Sequence, residues 1–436
     1  MLLQFSIKNY KSFKEKATFS LIASNYDKDI REDDNVYYDE KFNLRILKSA
    51  VIYGANASGK SKLLDALGFM KYFVISSSKE SQKGDKIDIE PFKLSSETEN
   101  LPSEFEVIFT HNETLYRYGF EVNKTKVISE WLYYKAKSKE IELFYRDEQN
   151  FETHSRNFSK GRMVIKEKLI RENALLISVA SQFNDEISTN VIDWFSDFKT
   201  ISGLSESGFR GFTLNKTEDP NYKKEILNLL KAADLGITDI QIQTLEIEDL
   251  PKDLPEEIRS KIIKDLKEDN SKKLLGDIFT IHQKYDRSKN IVESINFSLD
   301  DEESSGTRKF FALTGPILHV LENGYTLFVD ELDSKLHPNL VCKIVSLFNS
   351  SEINKKNAQL VFNTHDTNLL DSGLFRRDQI WFTNKDKFGE SQLYSLADFK
   401  SSKVKKTENF EFNYIKGKYG AVPFLGHFDE LNIGVQ

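Results

Sequence analysis

Residues Gly54-Ala-Asn-Ala-Ser-Gly59-Lys60-Ser61 fill every fixed position of the pattern G-x-x-x-x-G-K-[ST]. The apolar run Val51-Ile52-Tyr53 precedes them and a helix-like run over 62–67 follows. Strand, glycine-rich turn and helix in that order form an anion cradle. Backbone N–H groups of the turn and of the helix N-terminus point inward at the bound phosphates. Gly54 and Gly59 permit a turn that side chains would block. Ala55, Asn56, Ala57, Ser58 and Lys62 complete the cradle. Lys60 is expected to reach the β- and γ-phosphates, and the Ser61 hydroxyl to hold Mg²⁺. The chain is therefore expected to bind a nucleoside triphosphate.

The C-terminal part supplies candidate partners for such a loop. Tyr325-Thr-Leu-Phe-Val-Asp330-Glu331 is an apolar strand ending in two carboxylates. Asp330, emerging at the end of a strand beside the loop strand, suits Mg²⁺, held directly or through water. Glu331 points elsewhere and suits a general base for the attacking water. Upstream, Ser304-Ser305-Gly306 opens a helix-like run over 310–321. That turn reads equally as a helix cap or as a second anion-binding device. Leu360-Val-Phe-Asn-Thr-His365-Asp366 is another buried-type strand, and it ends in a histidine placed to meet a γ-phosphate.

Composition limits the alternatives. With 436 residues, 39% hydrophobic and 30% charged, the chain has room for a sizeable core and for two or three domains. A formal charge of -7 argues against a surface dedicated to nucleic acid. Cys342 is the only cysteine, which excludes an internal disulfide and suits a reducing compartment. The N-terminus alternates like a strand, and no apolar run approaches membrane-spanning length. A cytoplasmic protein with no membrane partner is expected.

Period-two patterns predict strands around Leu3, Phe5 and Ile7 and over 17–21, then a surface loop over 26–40. Residues 77–100 read as a polar connection with one short strand. The aromatic and β-branched runs 104–110, 115–121, 127–134 and 141–145 predict an antiparallel meander. Helical periodicity covers 174–198 in pieces, and charged helices are expected over 223–231 and 255–264. No sustained heptad pattern is present.

The ordered set resembles the ABC-type ATPases of the SMC/RecF/OLD branch. Ser304-Ser305-Gly306 resembles their signature, residues 332–337 their D-loop, and His365 their switch histidine. Asn9-Tyr10-Lys11-Ser12-Phe13 is similar to the "NFRSF" segment that opens them. A closer resemblance is to the AAA-type ATP-binding proteins of abortive-infection and phage-defence operons (AbiL-, RloA- and PARIS AriA-like). The phrases Asp330-Glu-Leu-Asp-Ser-Lys-Leu-His-Pro338, Phe362-Asn-Thr-His-Asp366 and 413–425 carry it. The signature departs from the family at Glu303 and Ser305, and His337 replaces the usual D-loop acid.

The resemblance implies an α/β fold: an ABC-type P-loop ATPase core with an antiparallel β-lobe and a helical insertion. It divides the chain into 1–200, carrying the P-loop and the strand-rich lobe; 201–295, a mainly helical insertion; and 296–436, carrying signature, Walker B and switch histidine. It implies ATP and Mg²⁺ as ligands, with a head-to-tail homodimer closing around two nucleotides, and it offers Gln182 as a Mg²⁺-sensing residue. A regulatory ATPase acting on a separately encoded effector is the first functional expectation. A RecF/SMC-like ATPase that binds DNA in repair or processing, through lysines such as Lys8, Lys11, Lys14 and Lys16, is the alternative. Intrinsic nuclease activity is disfavoured, because 367–436 is too short for a Toprim domain and lacks a closely spaced Asp-x-Asp. The long stretch between Ser61 and Ser304 argues against a transporter subunit. The basic, aromatic phrase 413–425 reads either as an interaction segment or as a packed tail.

Overall fold

Four apolar runs with almost no alternation, 49–54, 326–330, 359–363 and 380–385, have the pattern of strands covered on both faces. In the computed structural model they form the middle of a six-stranded sheet. Its order is Lys199–Ser202, Thr326–Asp330, Gln359–Asn363, Ser49–Gly54, Ile380–Lys385, Ser391–Ser395. The first five strands run parallel and the sixth returns antiparallel. Parallel strands bring their C-terminal ends to one edge, the edge at which open α/β sheets carry ligands. The acid strand was expected directly beside the loop strand. Instead the histidine strand Gln359–Asn363 lies between them, paired to both.

The structure describes residues 1–137, 139–154, 157–246, 273–400, 404–405 and 408–423. The chain divides into two units. One is Met1–Leu204, His319–Ser334 and Pro338–Gln436; the other is Ser205–Leu318 with Lys335–His337.

Within the first unit, a seven-stranded antiparallel sheet takes the order Asn150–Thr153, Ile141–Asp147, Val127–Lys135, Thr114–Val122, Ser103–His111, Leu2–Lys8, Ala17–Ser20. The expected meander is present, with the N-terminal strands added at one side. The helix after the phosphate loop, Lys60–Ser76, packs on this sheet through aromatic rings. Phe69 lies 5.1 Å from Phe105, and Phe73 lies 5.5 Å from Phe120. Its other faces bury Leu63, Leu67, Met70 and Val74, so the helix is apolar nearly all round. The helices Leu176–Gln182 and Glu186–Asp197 realise the periodicity over 174–198. Trp194 of the second stacks on Phe109, ring centroids 4.0 Å apart.

Buried side-chain amides join the two sheets. Gln359, fully buried, accepts from Leu2 N–H at 2.7 Å and Thr326 Oγ1 at 3.0 Å, and donates to the carbonyls of Leu2 at 3.0 Å and Leu47 at 3.1 Å. Such a fully satisfied amide fixes register without leaving an orphaned polar group.

Two local expectations are corrected. Residues 26–40 are no mere surface loop, because Asp27 and Asn35 are buried there. Arg377 pairs with Asp27 at 3.2 Å, and Arg376 with Glu32 at 2.8 Å, drawing the acidic segment inward. Residues 77–100 form turns and coil rather than a strand. The segment instead hangs on isolated backbone bonds such as Lys11 N–H to Glu90 O, 2.8 Å.

The second unit contains the helices Ser207–Lys216 and Pro220–Ala232 and a three-stranded antiparallel sheet, Asp239–Glu246, Lys273–Tyr285, Ile291–Ser298. The stretch expected to be mainly helical thus carries a sheet as well, its strands marked by the alternation in Ile240, Ile242 and in Ile278, Thr280. The helix expected over 255–264 lies outside the described residues. The boundary falls after Leu318 rather than at 295, so Ser304-Ser305-Gly306 belongs to this second unit.

Glu130 and Arg146 form an ion pair of 3.3 Å with both side chains fully buried. Glu130 also accepts from Tyr118 Oη at 3.1 Å and from the N–H groups of Leu176 at 2.7 Å and Ile177 at 3.2 Å. Arg146 donates to Ala174 O at 2.7 Å. Burial pushes the Glu130 carboxyl above its ordinary range, and Arg146 with the three donors draws it back. Glu130→Ala would leave a buried guanidinium unpaired. It should lower the unfolding free energy by about 3–5 kcal/mol in urea titration; a change within experimental error would refute the pair's structural role.

Candidate nucleotide site

The loop strand Ser49–Gly54 is buried along its whole length and delivers the chain to the sheet edge. A Cβ on Gly54 would collide with Ser58 Oγ and with both the carbonyl and hydroxyl of Thr383. Gly59 takes φ 116° and caps the helix Lys60–Ser76 with no side-chain bond. A Cβ there would lie 2.6 Å from Ser391 Oγ. Glycine is needed at both positions, and the uncapped helix N-terminus keeps its N–H groups for an anion.

The loop is braced from behind by the hairpin 380–395. Ser58 Oγ meets Thr383 Oγ1 at 2.6 Å, and Ser391 Oγ donates to Ser58 O at 2.7 Å. Lys60, 6% exposed, donates to the carbonyls of Gly54 at 2.7 Å and Ala55 at 3.2 Å. Burial lowers the pKa of its ammonium, while Glu331, Asp330 and Asp333 raise it. A lysine with that balance gains from an added polyanion.

At the acid end, Ser61 Oγ donates to Asp330 Oδ1 at 2.9 Å. The contact crosses the intervening strand through Asn363, whose side chain bonds Asp330 Oδ1 and accepts from the Glu331 N–H at 2.6 Å. One amide therefore orients both carboxylate residues. Glu331 sits at φ 54°, a left-handed conformation that turns it away from Asp330. A Cβ on Gly203 would collide with the carbonyls of Asp330 and Glu331, so the close approach behind this turn requires glycine. Asp333 accepts from the His365 N–H at 3.2 Å, and its other oxygen is buried with no partner among the described residues.

Beside these groups opens a cleft of about 700 Å³, lined by Ser12, Asn56, Ala57, Ser58, Gly59, Lys60, Ser61, Lys62, Glu331, His365 and Lys385. The structure thus brings together the loop residues, Asp330, Glu331 and His365. A hydroxyl and a carboxylate converging at 2.9 Å, beside a loop only glycine can form, fit a Mg²⁺-bound triphosphate.

Ser304 lies in the other unit. Its Oγ accepts from Thr307 N–H at 3.1 Å, capping the helix Ser305–Asn323. Gly306 is pressed against Lys335 O, 2.7 Å from where a Cβ would be. The helix-cap reading is therefore realised, and the cap leaves Ser305 and Gly306 at the helix start.

Gln182 is not brought to the cleft. Its Nε2 donates to Ser78 Oγ at 2.9 Å, just beyond the C-terminal end of Lys60–Ser76. That helix has 17 residues, which places its two ends about 25 Å apart. The apolar run before Gln182 is drawn to the Glu130 carboxylate through Leu176 and Ile177, which holds the glutamine at the wrong end.

The phrase 413–425 is a packed tail over its described part. Tyr414 stacks on Phe382 with centroids 5.4 Å apart, and Tyr394 Oη donates to Tyr419 O at 2.8 Å.

The sequence pattern assigned no individual role to Asn363, Gly203, Thr383, Ser391 or Lys385, and placed Asp333 only within the D-loop resemblance. Asn363 had a visible signal, being the first polar residue after the buried run Leu360-Val-Phe and lying two before His365. Asn363→Ala would remove the acceptor of the Glu331 N–H and a donor to Asp330. Loss of such buried partners costs about 1–3 kcal/mol, so nucleotide turnover should fall roughly 10- to 100-fold. Steady-state kinetics alongside circular dichroism would check this, and wild-type kcat in a folded variant would contradict it.

The family described as "AAA domain, putative AbiEii toxin, Type IV TA system" matches residues 49–371. None of the curated proteins compared matches the chain. Solved structures with some likeness include the SmcHead bound to the C-winged helix domain of ScpA, at 12% identity and TM-score 0.46, covering 90% of this chain and 97% of that one. Another is the SMC head domain from Thermotoga maritima, at 12% identity and TM-score 0.41, covering 90% and 98%. Likeness at that level carries no argument about chemistry. Among the described residues no helix is long and apolar enough to cross a membrane. The matched span holds the phosphate loop, Asp330 bonded to Ser61, and the Glu331 and His365 that line the cleft, and the chain belongs to this AAA-domain family.

Proposed function

We propose that the chain is a Mg²⁺-dependent ATPase of ABC type whose nucleotide-driven dimerisation senses infection and controls a separately encoded effector in phage defence. The observation that carries the catalytic part is the cleft itself, where Lys60, Ser61, Glu331 and His365 face one space with Asp330 bonded to Ser61. ATP phosphates lie against the loop amides, and Lys60 turns from the Gly54 and Ala55 carbonyls toward them. Ser61 and Asp330 would hold Mg²⁺, whose charge would offset that of the phosphates. Glu331 takes the proton of the attacking water, and His365 donates a hydrogen bond to the terminal phosphate.

Ser304, Ser305 and Gly306 of a second copy complete the enclosure in the head-to-tail arrangement implied by the ordered motifs. The family description, naming a toxin of a toxin–antitoxin system, supports the defence role. The alternative is a RecF/SMC-like ATPase that grips DNA through Lys8, Lys11, Lys14 and Lys16, two of which already have acidic partners. Lys11 is paired with Asp65 at 2.9 Å and Lys16 with Glu104 at 2.8 Å.

Lys60→Ala should abolish ATP binding. Glu331→Gln should bind ATP, hydrolyse it about 10²–10⁴ times more slowly, and accumulate as dimer in light scattering with ATP. Ser304→Arg should bind ATP yet not turn it over. Full turnover in Glu331→Gln would remove it as the base, and full turnover in Ser304→Arg would remove the shared site.

A further inference from the structure

The turn that follows His365 is held by residues 408–421, none of which lines the cleft. The segment's helix Phe410–Ile415 is bonded to the 3-10 turn Thr367–Asp371 from both sides. Thr367 Oγ1 donates to Glu411 Oε1 at 2.8 Å. Asp371 Oδ1 accepts from the N–H groups of Phe410 at 2.9 Å and Glu411 at 3.3 Å. The same segment reaches the phosphate loop. Tyr53, the residue before Gly54, lies 5.6 Å from Tyr414 ring to ring, and its Oη donates to Asp366 O at 3.0 Å. Tyr414 Oη in turn donates to Ala421 O at 3.1 Å, closing the tail on itself. Tyr53, buried near the end of the loop strand, thus touches both the residue after His365 and the tail.

We infer that the segment 408–421 is a positioning element for His365: through Glu411, Asp371 and Tyr414 it fixes where the histidine stands over the cleft. The inference rests on the reading of His365 as a phosphate-facing group. It adds that turnover is set in part by a segment making no contact with nucleotide, whereas nucleotide affinity is set by the loop. His365 itself is exposed, and its backbone is anchored on one side by Asp333. The second anchor is the turn that Glu411 and Asp371 hold. Releasing it lets the imidazole wander, and misplacing a catalytic group by ~1 Å costs on the order of 10²-fold.

The test uses the full chain. Thr367→Val keeps the shape and removes the hydroxyl; Glu411→Ala removes the acceptor; Glu411→Gln keeps an acceptor oxygen. Measured are kcat, the Kd of a fluorescent ATP analogue, the thermal midpoint, and kcat of each variant combined with His365→Ala. Thr367→Val and Glu411→Ala should lower kcat about tenfold with Kd and thermal midpoint unchanged, and Glu411→Gln should restore most of it. In the His365→Ala background the same substitutions should have no further effect, the non-additivity expected of residues acting through one group. Wild-type kcat in both Thr367→Val and Glu411→Ala, or a full additive loss on top of His365→Ala, would overturn the inference while sparing the role of His365. Undiminished turnover in His365→Ala alone would overturn that role, and the inference with it.

Discussion

The hydrogen bond from Ser61 to Asp330 is the interaction on which the site depends. It joins residues far apart in the chain, and it forms because two strands of one parallel sheet end at the same edge. The histidine strand lies between them, so the contact needs a spacer that is polar at its tip and apolar below. Gln359–Asn363 meets both demands, with a fully buried body and an amide that bonds Asp330 and the Glu331 backbone together. Charge is thus held at the sheet edge by polar partners that fix the direction of Asp330 and the backbone of Glu331.

Rigidity behind the cleft comes from satisfied buried polar groups. Gln359 ties the N-terminal strand to the parallel sheet. Gln379 donates to Ser49 O at 2.9 Å and accepts from Asn35 Nδ2 at 2.6 Å, locking the start of the loop strand to the acidic segment. Glu130 binds the start of Leu176–Gln182 to the antiparallel sheet. Each would be costly half-satisfied and is stabilising when complete. The loop helix, clamped between its neighbours by Phe69 and Phe73, inherits that rigidity and presents its N-terminus at a fixed place.

Much of this was legible in the residues. The phosphate loop, the acid pair and the histidine are short-range patterns attached to buried strands, and such strands announce themselves by composition. The meander over 103–147 was visible for the same reason. What the chain did not disclose were features set by partners distant in sequence. Nothing local to Thr326–Asp330 says that another strand will separate it from the loop. Gln182 resembles a site residue by position after an apolar run, yet Glu130 on a distant strand decides where that run docks. The charges of 26–40 look solvated until Arg376 and Arg377 are found beneath them. The glycine at 203 has meaning only against the carbonyls of Asp330 and Glu331.

We propose that Ser61 and Asp330 jointly hold the metal of a bound triphosphate, as their 2.9 Å contact at the loop suggests. The most direct measurement is ATP affinity by isothermal titration, with and without Mg²⁺, for the wild type and for Asp330→Asn. The wild type should bind ATP markedly more tightly with Mg²⁺, and Asp330→Asn should bind it almost equally well in either condition. An undiminished Mg²⁺ effect in Asp330→Asn would contradict the claim.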